Sequence, residues 1–133
     1  MTNEYNYYNE IQLMFKNYIF IYRSNKLKEN AGFVDEFFQA MKYEGNRLLT
    51  FENGWNRNII SSERMAFSGF FYLFCDHVQC AWCKNILYLW QENDDPMKKH
   101  KMIFPSCPFV SESDVGNVPL NPDLKSCDFN EEL

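Results

Sequence analysis

Three cysteines and one histidine carry the clearest chemistry in this chain. Cys80 and Cys83 are separated by two residues, sixteen more precede His100, and six more precede Cys107. Thiolates and an imidazole in this number complete the tetrahedron of Zn²⁺, which leaves no open position for an activated water. The expected cofactor is therefore one structural zinc that holds the fold and does no catalysis. A Cys-x-x-Cys can also be a redox pair or a pair of unpaired structural thiols, and the context of the second half of the set weighs against that. Asp95-Pro96 reads as an N-cap followed by proline at the first helical position, which sets His100 inside a short helix that Pro105 stops. That helix and Cys107 can then fold back onto the Cys80–Cys83 knuckle.

The elements that must position these ligands are legible in the residues before them. Ser62 is expected to cap a helix running through Ser68, with Gly69 as its left-handed stop. Three short strands rich in aromatic and branched residues come next, 70–73, 78–81 and 86–90, and an antiparallel meander is the economical topology. The knuckle then falls at the turn from the second strand to the third. In residues 1–46, Ile11, Phe15, Tyr18, Ile19 and Tyr22 fall at helical spacing, as do Val34, Phe37, Phe38 and Met41, with a break at Asn30-Ala31-Gly32. Two amphipathic helices are predicted, packed against the core of the later residues, with an exposed partner-binding stripe as the alternative.

A length of 133 residues allows about one domain with extensions. A core built by half of it is marginal without a metal staple. The net charge of −5 opposes nucleic-acid binding, which needs a clustered basic face. The one local concentration, Lys98-Lys99-His100-Lys101, reads as a solvated helix face. No apolar run approaches a membrane span, and no secretory leader is apparent. Unpaired thiolates then suit a reducing compartment, the cytoplasm or the nucleus, with Cys75 and Cys127 left over as free thiols.

Around the ligands, a longer pattern stands out. Arg47-Leu-Leu-Thr50-Phe51, Trp55, Met65-Ala66-Phe67-Ser68-Gly69-Phe70-Phe71-Tyr72, Asp76-His77-Val78-Gln79-Cys80, Trp90, Asp94-Asp95-Pro96, His100 and Pro105-Ser106-Cys107-Pro108-Phe109-Val110 closely resemble a baculoviral IAP repeat, or BIR. The resemblance covers about half the chain. Asp114-Val115-Gly116-Asn117-Val118-Pro119-Leu120 is similar to the segment after the first BIR of insect and insect-virus inhibitor-of-apoptosis proteins. It implies an α+β fold, a small zinc-stabilised three-stranded antiparallel sheet surrounded by short helices. The division expected is a helical extension over 1–46, the repeat over 47–110 and a tail over 111–133.

The resemblance assigns further roles. Arg47 corresponds to the arginine that opens the repeat and braces its interior. Zn²⁺ with three thiolates and a neutral imidazole is a net monoanion, and a planar, always-charged guanidinium suits its neighbourhood. The bland alternative is an exposed side chain at a helix start. The family's peptide groove carries over with Leu87, Tyr88 and Leu89 as the strand edge, Trp90 as the pocket wall, Asp94 as the carboxylate facing a peptide ammonium, and Lys99 and Ile103 as the far wall. There an extended peptide with a free N-terminal alanine adds as a strand. Ile86 replaces a usual glycine, Leu89 brings no second carboxylate, Lys99 adds a cation and Ile103 replaces a tryptophan. These departures are expected to weaken ammonium binding. Asn56 after Trp55 and the short Phe74-Cys75-Asp76 turn also depart from the family pattern.

The function implied is an anti-apoptotic interaction protein that engages caspases, pro-apoptotic antagonists or other inhibitor-of-apoptosis proteins. No second cysteine–histidine cluster comes after Cys107, so neither a RING nor any enzymatic activity is expected. A zinc-stabilised structural or decoy module is the alternative. A survivin-like module is disfavoured by Gly116, Pro119 and Pro122 where a long helix would be needed.

Overall fold

The computed structural model describes residues 2–120, and the side chains from residue 7 onward. Cys127, Pro122 and the rest of the expected tail beyond Leu120 lie outside the described residues. The elements are α1 (Thr2–Arg23), α2 (Ala31–Ala40), α3 (Glu44–Thr50), α4 (Ser62–Phe67), β1 (Phe70–Phe74), β2 (His77–Cys80), β3 (Ile86–Leu87) and α5 (Pro96–Ile103). Single 3-10 turns cover Lys28–Asn30 and Phe51–Asn53. The sheet is antiparallel in the order β1-β2-β3, so the class is α+β with the expected meander. No described helix is long and apolar enough to cross a membrane.

The sheet is buried on both faces, and adjacent residues of β1 divide the work because strand side chains alternate. Phe71 faces α1 and α2, with ring centroids 5.9 Å from Tyr18, 5.2 Å from Phe37 and 5.6 Å from Phe38. Phe70 faces α5, its ring stacked 4.4 Å from that of His100. The α1 face expected from helical spacing supplies Ile11, Phe15 and Tyr18 to the core. The described side chains of α1 and α2 thus share one core with the sheet.

Thr50 fixes α3 to the sheet by donating from Oγ1 to the Arg47 carbonyl at 2.6 Å and accepting the Tyr72 N–H at 2.9 Å. Beyond the zinc-type ligands the chain returns as a strap. Val118 donates its N–H to the Lys42 carbonyl at 3.0 Å, and its own carbonyl accepts the Glu44 N–H at 2.9 Å. Trp82 Nε1 donates to the Val115 carbonyl at 2.9 Å.

Three local expectations are corrected. Ser61, and not Ser62, caps α4, its hydroxyl accepting the Arg64 N–H, while Ser62 is the first helical residue. The N-terminal helices part over 24–30, before the expected break, and Gly32 lies in the first turn of α2. β3 ends at Leu87, three residues short of the expected strand end. Leu89 there has φ +64°, and the Asp76 carboxylate takes the N–H groups of Leu89 and Trp90 at 2.7 and 3.3 Å, which removes them from any ladder.

Candidate metal centre

Cys80 closes β2, and the backbone wraps its sulfur: the N–H groups of Trp82 and Cys83 donate to Cys80 Sγ at 3.3 and 3.4 Å. Lys84, at φ +65°, completes the reversal that lets Cys83 face back toward Cys80. From the other side, Asp95 caps α5 by accepting the N–H groups of Met97 and Lys98, and Pro96 occupies the first turn. His100 is then carried inward and fully buried. Its Nδ1 lies 2.9 Å from the Ser68 carbonyl, which can only accept, so Nδ1 holds the proton and Nε2 is free as a ligand. Cys107 arrives from the turn after α5.

The four ligand atoms lie within 4.8 Å of one another. Cys80 Sγ and Cys107 Sγ are 3.7 Å apart, and Cys83 Sγ is 3.8 Å from His100 Nε2. A tetrahedron with metal–sulfur bonds of about 2.3 Å has sulfur–sulfur edges of about 3.8 Å, whereas a disulfide needs about 2.05 Å. The residues fit a metal ion of zinc's size and preference. Without an ion the two knuckle thiols share a proton: hydrogen bonding to Cys83 and then burial push Cys80 up, while the hydrogen bond from Cys80 pulls Cys83 down.

Arg47 is completely buried, which excludes the exposed alternative. Its Nε and Nη2 donate to the Ala66 carbonyl at 3.0 and 2.9 Å, Nη1 to the Met41 carbonyl at 2.9 Å, and Nη2 also to Asn117 Oδ1 at 3.1 Å. The guanidinium carbon lies 5.1 Å from the Trp82 ring and 5.9 Å from that of Phe109. Burial lowers its pKa to about 10, opposed by the charges of Glu44 and Cys80, so it stays a cation at neutral pH. Among the described residues no carboxylate reaches it within ion-pair distance.

Gly69 has φ +93°, and a Cβ there would meet Phe109 ring atoms at 2.9 Å, so both backbone and packing require glycine. The ring that would clash is the one stacked on Trp82, with centroids 4.7 Å apart.

On the face between β3 and α5, Leu87 and Trp90 are buried, Tyr88 and Ile103 are exposed, and Leu89 is 71% exposed. Asp94 Oδ2 accepts the Gln91 N–H at 2.9 Å and the Lys99 ammonium at 3.2 Å. The Gln91 N–H first, and then Lys99, hold the Asp94 carboxyl below its ordinary value. Lys99 Nζ also stands 4.7 Å from the Trp90 ring centroid. Sequence reasoning placed all of these residues on one face but missed Asp76, whose pinning role depends on how the β1–β2 turn meets the end of β3. It also missed Asn117 as the partner of Arg47; the only signal was its place in the strap motif. At the short turn itself, His77 stacks on Tyr88 with centroids 4.6 Å apart, and Cys75 is exposed.

Comparison with known proteins places this geometry. Residues 47–111 match the model of the Inhibitor of Apoptosis domain, BIR. The chain is 44% identical over 68 residues to Death-associated inhibitor of apoptosis 2 of Drosophila melanogaster, covering 50% of this chain and 14% of that protein. It is 45% identical over 76 residues to Apoptosis inhibitor IAP of Cydia pomonella granulosis virus, covering 56% of this chain and 27% of that protein. In structure it is similar to DIAP1 BIR1 bound to a Grim peptide, with a TM-score of 0.58 and 27% identity over 62% of this chain and 86% of that one.

Proposed function

Residues 47–111 form a BIR domain, and from that premise we propose that this chain is an anti-apoptotic interaction protein whose metal-folded repeat binds other components of the cell-death machinery. The observation that carries the reading is the Cys80–Cys83–His100–Cys107 cluster, closed and set within the matched segment. One Zn²⁺ held by these four residues cross-links β2, the knuckle and α5 and has no position left for a water ligand. The work of the protein is then binding, without enzymatic turnover, in a reducing compartment such as the cytoplasm. Its partners are caspases, pro-apoptotic antagonists or other inhibitor-of-apoptosis proteins. Because the chain spans 14% of the Drosophila relative and 27% of the granulosis-virus relative, their whole activities do not transfer to it.

A second reading, a structural or decoy module without caspase contact, is favoured by one observation: Asp94 is already paired with Lys99. The test is capture of purified caspases, alanine-N-terminal antagonist peptides and intact inhibitor-of-apoptosis proteins by the purified chain, with Cys83→Ala as the unfolded control. It is run alongside survival of cells expressing each form under an apoptotic stimulus. Capture and protection by the wild type, both lost in Cys83→Ala, support the first reading. Equal survival with and without the wild-type chain, and no capture, select the second.

A further inference from the structure

The face between β3 and α5 contains a seat for a cation, and the chain fills that seat itself. Trp90, only 5% exposed, presents an indole face, and Asp94 presents a carboxylate oxygen beside it. An aromatic face and a carboxylate together are what a desolvated ammonium requires. Lys99 occupies the seat, with Nζ 3.2 Å from Asp94 Oδ2 and 4.7 Å from the Trp90 centroid. Both charged side chains are only about a quarter exposed, at 22% and 26%, so the pair is partly shielded from water. The indole nitrogen of Trp90 is buried with no hydrogen-bond partner, which leaves the ring held by packing and by the cation over its face.

A free peptide N-terminus and the lysine side chain are both primary ammonium groups with three donors. Whatever holds one can hold the other. The tethered lysine has the advantage, since it is always present at high effective concentration. An incoming ammonium has to displace it and then share the neighbourhood with its charge. The backbone adds a second barrier, because Leu89 is turned to φ +64° and its N–H is held by Asp76. The edge open to an added strand is correspondingly short.

We propose that Lys99 is the specificity determinant of this face: it is a built-in occupant of the Asp94–Trp90 seat and excludes peptides that carry a free N-terminal ammonium. This rests on the proposed reading of the chain as a BIR interaction protein, and it assigns the class of ligand that the resident lysine turns away. Partners of the wild-type chain must then be recognised without an ammonium in that seat.

The experiment is calorimetry of the zinc-loaded full chain with a short peptide bearing a free N-terminal alanine and with the same peptide N-acetylated. Wild type is expected to show no preference between them. Lys99→Gln is expected to prefer the free amine by about tenfold or more, the worth of one charge-assisted hydrogen bond. That preference disappears when Asp94→Asn is added, and Lys99→Arg behaves as wild type. A measurement that needs no variant at position 99 is the rate of amine labelling by mass spectrometry. Lys99 is expected to react more slowly than Lys98 and Lys101 in the wild type, and to accelerate in Asp94→Asn. Wild type that binds the free-amine peptide as tightly as Lys99→Gln overturns the proposal, as does equal labelling of the three lysines. If the lysine proves no gate while the wild type still captures its partners, the proposal fails and the functional reading stands. A gated seat in a chain that captures nothing and protects no cell overturns the functional reading alone.

Discussion

The Tyr18 hydroxyl donates to Gln79 Oε1 at 2.7 Å, across 61 residues of sequence, in the buried space between α1 and β2. Gln79 passes the connection on, its side-chain nitrogen donating to the Lys84 carbonyl at 2.9 Å in the knuckle that carries Cys80 and Cys83. The first helix is therefore joined to the turn that shapes the metal centre through one side chain. Tyr18 also stacks on Phe37, with centroids 4.4 Å apart, and burial pushes its phenol far above the ordinary range. Further bonds run the length of α1: Gln12 donates to the Leu49 carbonyl, and the Tyr8 hydroxyl donates to Glu52. The repeat and the helix before it are one structural unit.

Tyr18→Phe keeps the ring and removes the donor, leaving the Gln79 carbonyl oxygen buried without it. A loss of about 1 to 3 kcal/mol is expected in urea denaturation. Tyr18→Ala also empties a core site and is expected to cost about 3 to 5 kcal/mol. A Tyr18→Ala chain as stable as wild type would show that α1 is dispensable to the core.

Metal removal should unfold the repeat. The ligands come from β2, its following turn, α5 and the segment after α5, so one bound ion would tie four separate pieces of the chain together. One zinc per chain is expected by metal analysis, with loss of the cooperative thermal transition on chelation. Cys107→Ala should behave like the chelated chain. Cys75→Ser should keep full zinc content, because Cys75 is exposed at the β1–β2 turn, away from the cluster.

Arg47 is the sharpest test of the interior. Arg47→Leu leaves the Met41 carbonyl without its Arg47 donor, strips two of the three bonds from the Ala66 carbonyl, which keeps the Gly69 N–H, and removes a buried cation, and a loss of about 3 to 5 kcal/mol is expected. Arg47→Lys keeps the charge but cannot span the Ala66, Met41 and Asn117 oxygens with one planar fork, so it should recover only part of this. Asn117→Ala removes one of the four bonds and should cost about 1 kcal/mol. Equal stability of Arg47→Leu and Arg47→Lys would remove the electrostatic part of the account.

How much of the molecule can be read from its residues depends on how local each signal is. The Asp95-Pro96 cap, the Gly69 stop and the buried stripe of α1 are local patterns, and each appears in the fold where its chemistry puts it. Ser61 and Ser62 satisfy the same capping rule, and only the Arg64 N–H selects between them. The early end of β3 is beyond local reasoning. Leu87-Tyr88-Leu89 has good strand propensity, and the group that bends it is a carboxylate from another turn, at Asp76. The same holds for Arg47 and Asn117, which meet only because the strap returns to α3.

Leu89 is a branched, solvent-exposed residue held at φ +64°. The left-handed region costs a non-glycine residue about 1 to 2 kcal/mol, and little packing offsets that where the side chain is 71% exposed. Glycine in place of an exposed leucine in an extended strand ordinarily destabilises. Here the sign should reverse, Leu89→Gly raising stability by about 0.5 to 1 kcal/mol, and Leu89→Asn should give a smaller gain since asparagine tolerates this region. Asp76→Ala removes the acceptor that holds the bend and should leave Leu89 free to return to extended backbone. Amide hydrogen exchange would then show faster exchange at Leu89 and Trp90, with Leu89→Gly no longer stabilising in that background. If Leu89→Gly destabilises the wild type by the amount usual for a strand, then Leu89 is not strained, and the short β3 edge needs another cause.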